Sequence, residues 1–163
     1  MRRTRTPAPP AGWRRLAFRL PIHLYRAHLG WLLGGRFVLL THTGRSSGRR
    51  REVVLEVVSR DRATGEVWVA SGFGPRADWY RNVLAHPEVR FQVGRRSRAG
   101  RAHPLPTEDG AALMARYAGA HPRAARALCR FMGFEVDGSA EDFHEVGRHI
   151  PFVRLAPRRP DPR

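Results

Sequence analysis

Three short runs rich in Val, Leu, Thr and Trp follow one another through the middle of the chain: "RFVLLTHT" (Arg36–Thr43), "REVVLEVVSRD" (Arg51–Asp61) and "GEVWVAS" (Gly65–Ser71). The first two are separated only by a Gly-Arg-Ser-Ser-Gly connection, the next two by a short polar turn. That spacing constrains the fold more than anything else in the sequence. A parallel crossover needs a dozen or more residues, so strands joined this tightly must form an antiparallel meander. Further on, "EVRFQVG" (Glu88–Gly94) alternates cleanly, "RSRAGRAHPL" (Arg96–Leu105) reads as its partner, and "HIPFVRLAP" (His149–Pro157) closes the chain as a late return strand. A meander, one helix inserted mid-sheet and a return strand predict an α+β fold built on a small antiparallel barrel. Regular strand–helix alternation and a glycine fingerprint after the first strand are both missing, which excludes a doubly wound dinucleotide fold.

The helices read less evenly. "PRADWYRNVLAHP" (Pro75–Pro87) has Pro at its start and its stop, with Trp79, Val83 and Leu84 on one face. "TEDGAALMARYAGA" (Thr107–Ala120) opens on Thr107 as an N-cap followed by two acids, and "RAARALCRFMG" (Arg123–Gly133) is a second helical run. "WRRLAFRLPIHLYRAHLGWLL" (Trp13–Leu33) has helical apolar spacing, interrupted at Pro21. His144 and His149 read as lying in a glycine-containing loop, with ordinary polar roles. The predicted organisation is a basic tail over 1–12, one domain over 13–155 with an N-terminal helix at 13–33, and a flexible tail over 156–163.

All 30 basic residues are Arg, and the net charge is +16. Without lysine there is no P-loop phosphate lysine and no Schiff-base lysine, so those chemistries fall away. The charge excess attracts anions: nucleic acid, anionic lipid or a polyanionic cofactor. The one cysteine, Cys129, excludes an intramolecular disulfide and a cysteine-rich metal site, and the eight histidines lack metal-ligand spacing. Arg14, Arg15, Arg19 and Arg26 interrupt any signal-like apolar stretch, and a cytoplasmic location is expected.

The chemistry concentrates in "LTHTGRSSGRRREV" (Leu40–Val53). Gly44 and Gly48 permit a tight turn with exposed N–H groups, Ser46 and Ser47 add hydroxyls, and Arg45, Arg49, Arg50 and Arg51 add guanidinium forks suited to phosphate or carboxylate. Composition leaves a basic hairpin turn and an anion cradle both open. A second cluster, "VASGFGPRADWYRN" (Val69–Asn82), joins a strand end to small residues and to the Trp79–Tyr80 pair, which suits a planar ring or an ordinary core.

Read together, "LLTHTGRSSGRRR" and "VWVASGFGPRADWYRNVLAHPEVRFQVG", with "LPIHLYRAHLGWLLG" ahead of them, resemble the deazaflavin-dependent nitroreductase family. Its members, actinobacterial and related proteins, bind coenzyme F420 on a split β-barrel. The resemblance implies about six mainly antiparallel strands with flanking helices. It places Arg45, Ser46, Ser47 and Arg51 along the cofactor's phosphate and tail, the anion-cradle reading adding Arg49. It sets Ala70, Ser71, Gly72, Trp79 and Tyr80 around the deazaflavin ring. The implied activity is hydride transfer from reduced F420 to a planar acceptor such as a quinone, a nitroaromatic or an activated alkene. Tyr80, Tyr117 or water would supply a proton. Family members often carry Lys where this chain has Gly72, and late tyrosines of their substrate pocket are missing here. Other expectations are a dimer, peripheral membrane contact through 13–33, no metal and no specific nucleic acid. Rival readings are FMN as cofactor, a non-catalytic cofactor- or lipid-binding barrel, and a basic nucleic-acid-binding module.

Overall fold

The computed structural model describes residues 2–3 and 34–158, so the predicted helix at 13–33 lies outside the described residues. Strands β2 (Phe37–Thr43), β3 (Arg50–Arg60), β4 (Val67–Ala70), β5 (Glu88–Val93), β6 (Arg96–Pro104) and β8 (Phe152–Pro157) close a six-stranded antiparallel barrel in the order β2-β3-β4-β8-β6-β5. The meander is as expected: Thr43 pairs with Arg50, and Val57 with Val69. β8 extends to Pro157, two residues beyond Leu155. A two-residue strand, β7 (Phe134–Glu135), pairs with β1 (Arg2–Arg3) apart from the barrel.

Period-two alternation decides which side chains fill the barrel. Val38 and Leu40 of β2, Val67 and Val69 of β4, Phe91 of β5, and Val153 and Leu155 of β8 are buried in one inner core. Val53, Leu55 and Val57 of β3 pack against it from the same side. Helix α1 (Asp78–Ala85) follows a short 3-10 turn at Gly74–Arg76 and inserts Trp79 and Val83, one turn apart, into that core. The outward residues Val58 and Phe152 belong to a second core, with Trp68 and Ala70 packed on it. There they meet α2 (Thr107–Ala120), α3 (Pro122–Phe131) and α4 (Ala140–Arg148). The β3–β4–β8 wall is thus apolar on both faces.

Two expectations are corrected. Thr107 is the first helical residue of α2 and makes no capping bond; Pro106, extended at φ −55° and ψ 149°, takes the cap position. Residues 140–148 are a helix, not a loop. Ser139 Oγ accepts from the Asp142 N–H at 3.1 Å, a cap that starts α4, and Glu141 and Asp142 sit in its first turn. Gly147 belongs there because α4 lies close against α2. A Cβ at 147 would stand 2.6 Å from Ala111 Cα and 2.9 Å from Met114 Cβ. Backbone cannot yield as a flexible side chain does, so Gly147→Ala destabilises the fold by about 1–3 kcal/mol, read as a lower urea midpoint.

Candidate active site

The end of the barrel that α1 covers carries the Gly-Arg-Ser-Ser-Gly loop. Gly44 N–H donates to Arg49 O and Gly48 N–H to Gly44 O, both at 2.8 Å, which folds the loop tightly. Gly48 has φ +64°, which favours glycine there, and a Cβ on Gly44 would meet the Ser47 Oγ at 2.6 Å and turn that hydroxyl aside.

Inward alternation along β2 puts His42 next after Val38 and Leu40, directly opposite Arg51 in the hairpin register. On α1, Asp78 and Asn82 stand one turn apart, and both take hold of Arg45. The Asn82 Oδ1 accepts from the Arg45 backbone N–H and from Arg45 Nη1, each at 3.0 Å. Asp78 Oδ1 accepts from Arg45 Nη2 at 3.0 Å. With its oxygen so engaged, buried Asn82 donates through Nδ2 to His42 Nδ1 at 3.2 Å. Nδ1 must therefore be unprotonated. Burial, with the Arg51 guanidinium adding to it and Asp78 opposing, lowers the His42 pKa to about 4 from 6.5.

This network gives a pH signature. Between those two values the unfolded chain binds a proton that the folded chain does not. His42 therefore costs no stability above pH 6.5, and stability falls as the pH drops toward 4. A His42→Gln variant removes that part of the decline in urea midpoints measured across the interval.

The remaining loop residues point elsewhere. Ser46, Ser47, Arg49 and Arg51 are exposed, and among the described residues neither Arg49 nor Arg51 meets a carboxylate. Arg50 pairs with Glu52 at 2.9 Å. β3 continues past its neighbour: β4 meets it only at Val57, Ser59 and Arg60, so Arg50–Glu56 have no strand on that edge among the described residues. From Arg51 to Val57 the edge runs about 20 Å at some 3.3 Å per residue.

At the far end of β4 the chain turns sharply. Ser71 is fully buried, its hydroxyl donating to Gly74 O at 2.7 Å and its N–H to Pro151 O at 2.8 Å. Gly74 has φ +72°. Gly72, where relatives often carry Lys, is covered by an aromatic ring: a Cβ there would stand 3.3 Å from Phe131 Cε1. Phe131 also meets Phe73 edge-on, with ring centroids 5.5 Å apart. A cavity of about 110 Å3 opens beside this turn, lined by Ser71–Arg76 together with Met132, Phe134, His149 and Ile150. The turn leads straight into α1, whose Asp78 and Asn82 grip the Arg45 loop, so the two sequence clusters are physically linked.

Trp79 is buried within the barrel and meets half-buried Tyr80 edge-on at 5.9 Å; Ala70 faces the helical layer. Tyr117 lies in that layer too. Its hydroxyl donates to Glu56 Oε1 at 3.0 Å, and burial, with Glu56 adding to it, pushes its pKa up to about 12. Burial raises the Cys129 thiol to about 11, leaving it inert. Sequence reasoning missed His42 as part of the network and noted Asn82 only as the last residue of the Val69–Asn82 cluster.

The residues suit a long polyanion that ends in a planar ring. Exposed Arg49 and Arg51, which meet no carboxylate among the described residues, and the Ser46 and Ser47 hydroxyls lie at one end of the β3 edge, and a small-residue turn beneath aromatic side chains follows β4 at the other. Comparison with known proteins agrees. No curated protein matches the chain. Among solved structures, an F420-H2 dependent reductase (FDR-A) is 24% identical with a TM-score of 0.50, over 74% of this chain and 93% of its own. A domain-swapped dimer is 23% identical with a TM-score of 0.51, over 83% and 98%. A pyridoxamine 5'-phosphate oxidase-related, FMN binding protein from Nostoc punctiforme is 15% identical with a TM-score of 0.52, over 92% and 83%. These likenesses show a shared split-barrel fold. The sequence profile of F420H(2)-dependent quinone reductase matches residues 17–128. This chain belongs to the F420H(2)-dependent quinone reductase family and is an F420-dependent reductase.

Proposed function

We propose that the protein passes a hydride from reduced F420 to a quinone held at the Ser71–Gly74 turn, with nitroaromatics and activated alkenes as further acceptors. The observation that carries this reading is the β3 edge, unpaired over Arg50–Glu56 among the described residues, which runs about 20 Å from the arginine loop to Val57, whose partner Val69 stands two residues before Ser71. In this reading the exposed Arg49 and Arg51 guanidiniums, with the Ser46 and Ser47 hydroxyls, hold the phosphodiester and the carboxylates of the tail. Arg45 acts chiefly by fixing the loop, since its guanidinium is engaged by Asp78 and Asn82.

At the other end, the small-residue Gly72–Gly74 turn borders the cavity where a ring can lie, with Ser71 buried beneath it, Ala70 packed on the helical layer, and the Trp79–Tyr80 pair on the helix that follows. Phe73 and Phe131 keep water from the reacting face and favour a flat, apolar acceptor. When bound, the reduced deazaflavin supplies both electrons at once as a hydride, so the protein's task is orientation and exclusion of water. Tyr117 holds its proton on Glu56, away from this face.

A dimer belongs to this reading, since one solved relative is a domain-swapped dimer. So does membrane contact through residues 13–33, whose basic, amphipathic sequence suits an anionic surface where lipid-soluble quinones collect. Oxidation of reduced F420, followed at the coenzyme's absorbance against panels of quinones and nitroaromatics, tests the acceptor. Turnover fastest with quinones supports the reading. Turnover with nitroaromatics and none with quinones contradicts it.

A further inference from the structure

A second use of the same cavity follows from His149, which the sequence gives an ordinary polar role. Its ring lines the cavity that Ser71, Gly72 and Gly74 also line, and its side chain is 44% exposed. Two contacts fix the ring. Nε2 bonds Glu145 Oε1 at 3.2 Å, one turn back on α4, and the ring plane stacks on Phe134 at 22°, with centroids 6.1 Å apart. The backbone N–H donates to Val146 O at 3.0 Å. A surface histidine with one partner is ordinary. One held by both a carboxylate and a stack, whose Nδ1 makes no hydrogen bond among the described residues, beside the Ser71–Gly74 turn, has the arrangement of an oriented general acid.

We propose that His149 is the proton donor that completes reduction of the acceptor at this cavity. The inference rests on the reading of the Ser71–Gly74 turn as the ring site. The quinone takes both electrons with the hydride of the reduced deazaflavin and becomes a hydroquinone anion. The Nδ1–H bond of the His149 imidazolium then breaks, an O–H bond forms on the quinone oxygen, and a neutral imidazole remains. Solvent reaches the exposed ring and returns a proton to it, while the proton shed on oxidation of the coenzyme passes to solvent. The charged groups placed beside His149 among the described residues are Glu145 and Arg148 of its own helix and Arg76 of the turn, which lines the same cavity. Arg148 shares Glu145, at 3.5 Å, and so holds the carboxylate in place.

The test uses the full chain, reduced F420 and a water-soluble naphthoquinone. His149→Gln keeps a polar side chain in place but cannot cycle a proton. It is expected to bind the coenzyme as the wild type does and to lose turnover by on the order of 10²-fold. Added imidazole restores turnover to His149→Ala. Unchanged turnover in the Gln variant overturns the inference, as does a loss without imidazole rescue or with weakened coenzyme binding, which would make His149 a structural residue. Wild-type protein that binds no coenzyme overturns the functional reading and this inference together, and the binding measurement identifies that case.

Discussion

Reversing the charge of Arg49 and Arg51 together, as Arg49→Glu/Arg51→Glu, lowers the affinity for F420 by about a hundredfold, equivalent to about 2.7 kcal/mol. Both side chains are exposed and meet no carboxylate among the described residues, so little of the fold depends on them. A phosphodiester and a polyglutamate tail are what they would bind, and each charge-assisted contact made by an exposed arginine contributes only part of the total. The signature is specific: the double variant weakens binding and flattens its dependence on salt, while the urea midpoint stays put. Arg101→Glu is the control. Arg101 of β6 pairs with Glu88 of β5, so reversing it makes half of the double variant's change of charge on a different part of the surface. Binding that weakens in this control in proportion to its charge change would make the effect one of net charge alone.

The second large effect is on stability. Asn82→Leu conserves volume, yet it leaves the Arg45 backbone N–H without its acceptor and His42 Nδ1 without its donor. Leaving a buried polar group unsatisfied costs about 1–3 kcal/mol, so a loss of about 2–4 kcal/mol is expected. A decrease in Tm of roughly 10 °C should accompany it. The same change frees the loop from α1 and so weakens coenzyme binding. Asp78→Ala is the instructive contrast. Its carboxylate is 84% exposed, and losing a surface ion pair of that kind changes stability by less than about 1 kcal/mol. Asn82, not the ion pair, is the joint between the two halves of the site.

Much of this molecule is legible before it is folded. The barrel strands show because alternation and glycine turns are local signals, and the hairpin from β2 to β3 follows from six connecting residues. The α4 helix was not legible. Its residues are few and polar, and Gly138 and Gly147 look like turn residues. The reason for Gly147 is tertiary, since it lets α4 approach Ala111. Thr107 failed as a cap because Pro106 had already set the extended conformation that precedes the helix.

The site divides along the same line. The loop chemistry of Arg49, Arg51, Ser46 and Ser47 can be read from composition, because exposed groups keep the properties of their residue type. The His42–Asn82–Arg45 network cannot, because its members lie up to 40 positions apart and meet only when α1 covers the barrel. Burial then decides their chemistry, keeping His42 neutral. Trp79 and Tyr80 were ambiguous for a related reason: an aromatic residue serves a core and a ring pocket equally well, and only the fold puts Trp79 inside.

The central claim is that F420 lies along the β3 edge between the arginine loop and the Ser71–Gly74 turn. Titrating the purified protein with F420 while following tryptophan fluorescence tests it most directly. Trp79 meets half-buried Tyr80 edge-on, on the helix that leaves the Ser71–Gly74 turn, so its emission should respond to the coenzyme. The expected result is saturable quenching at micromolar coenzyme that weakens as salt is added. An absence of saturable quenching, or quenching untouched by Arg49→Glu/Arg51→Glu, would contradict the account.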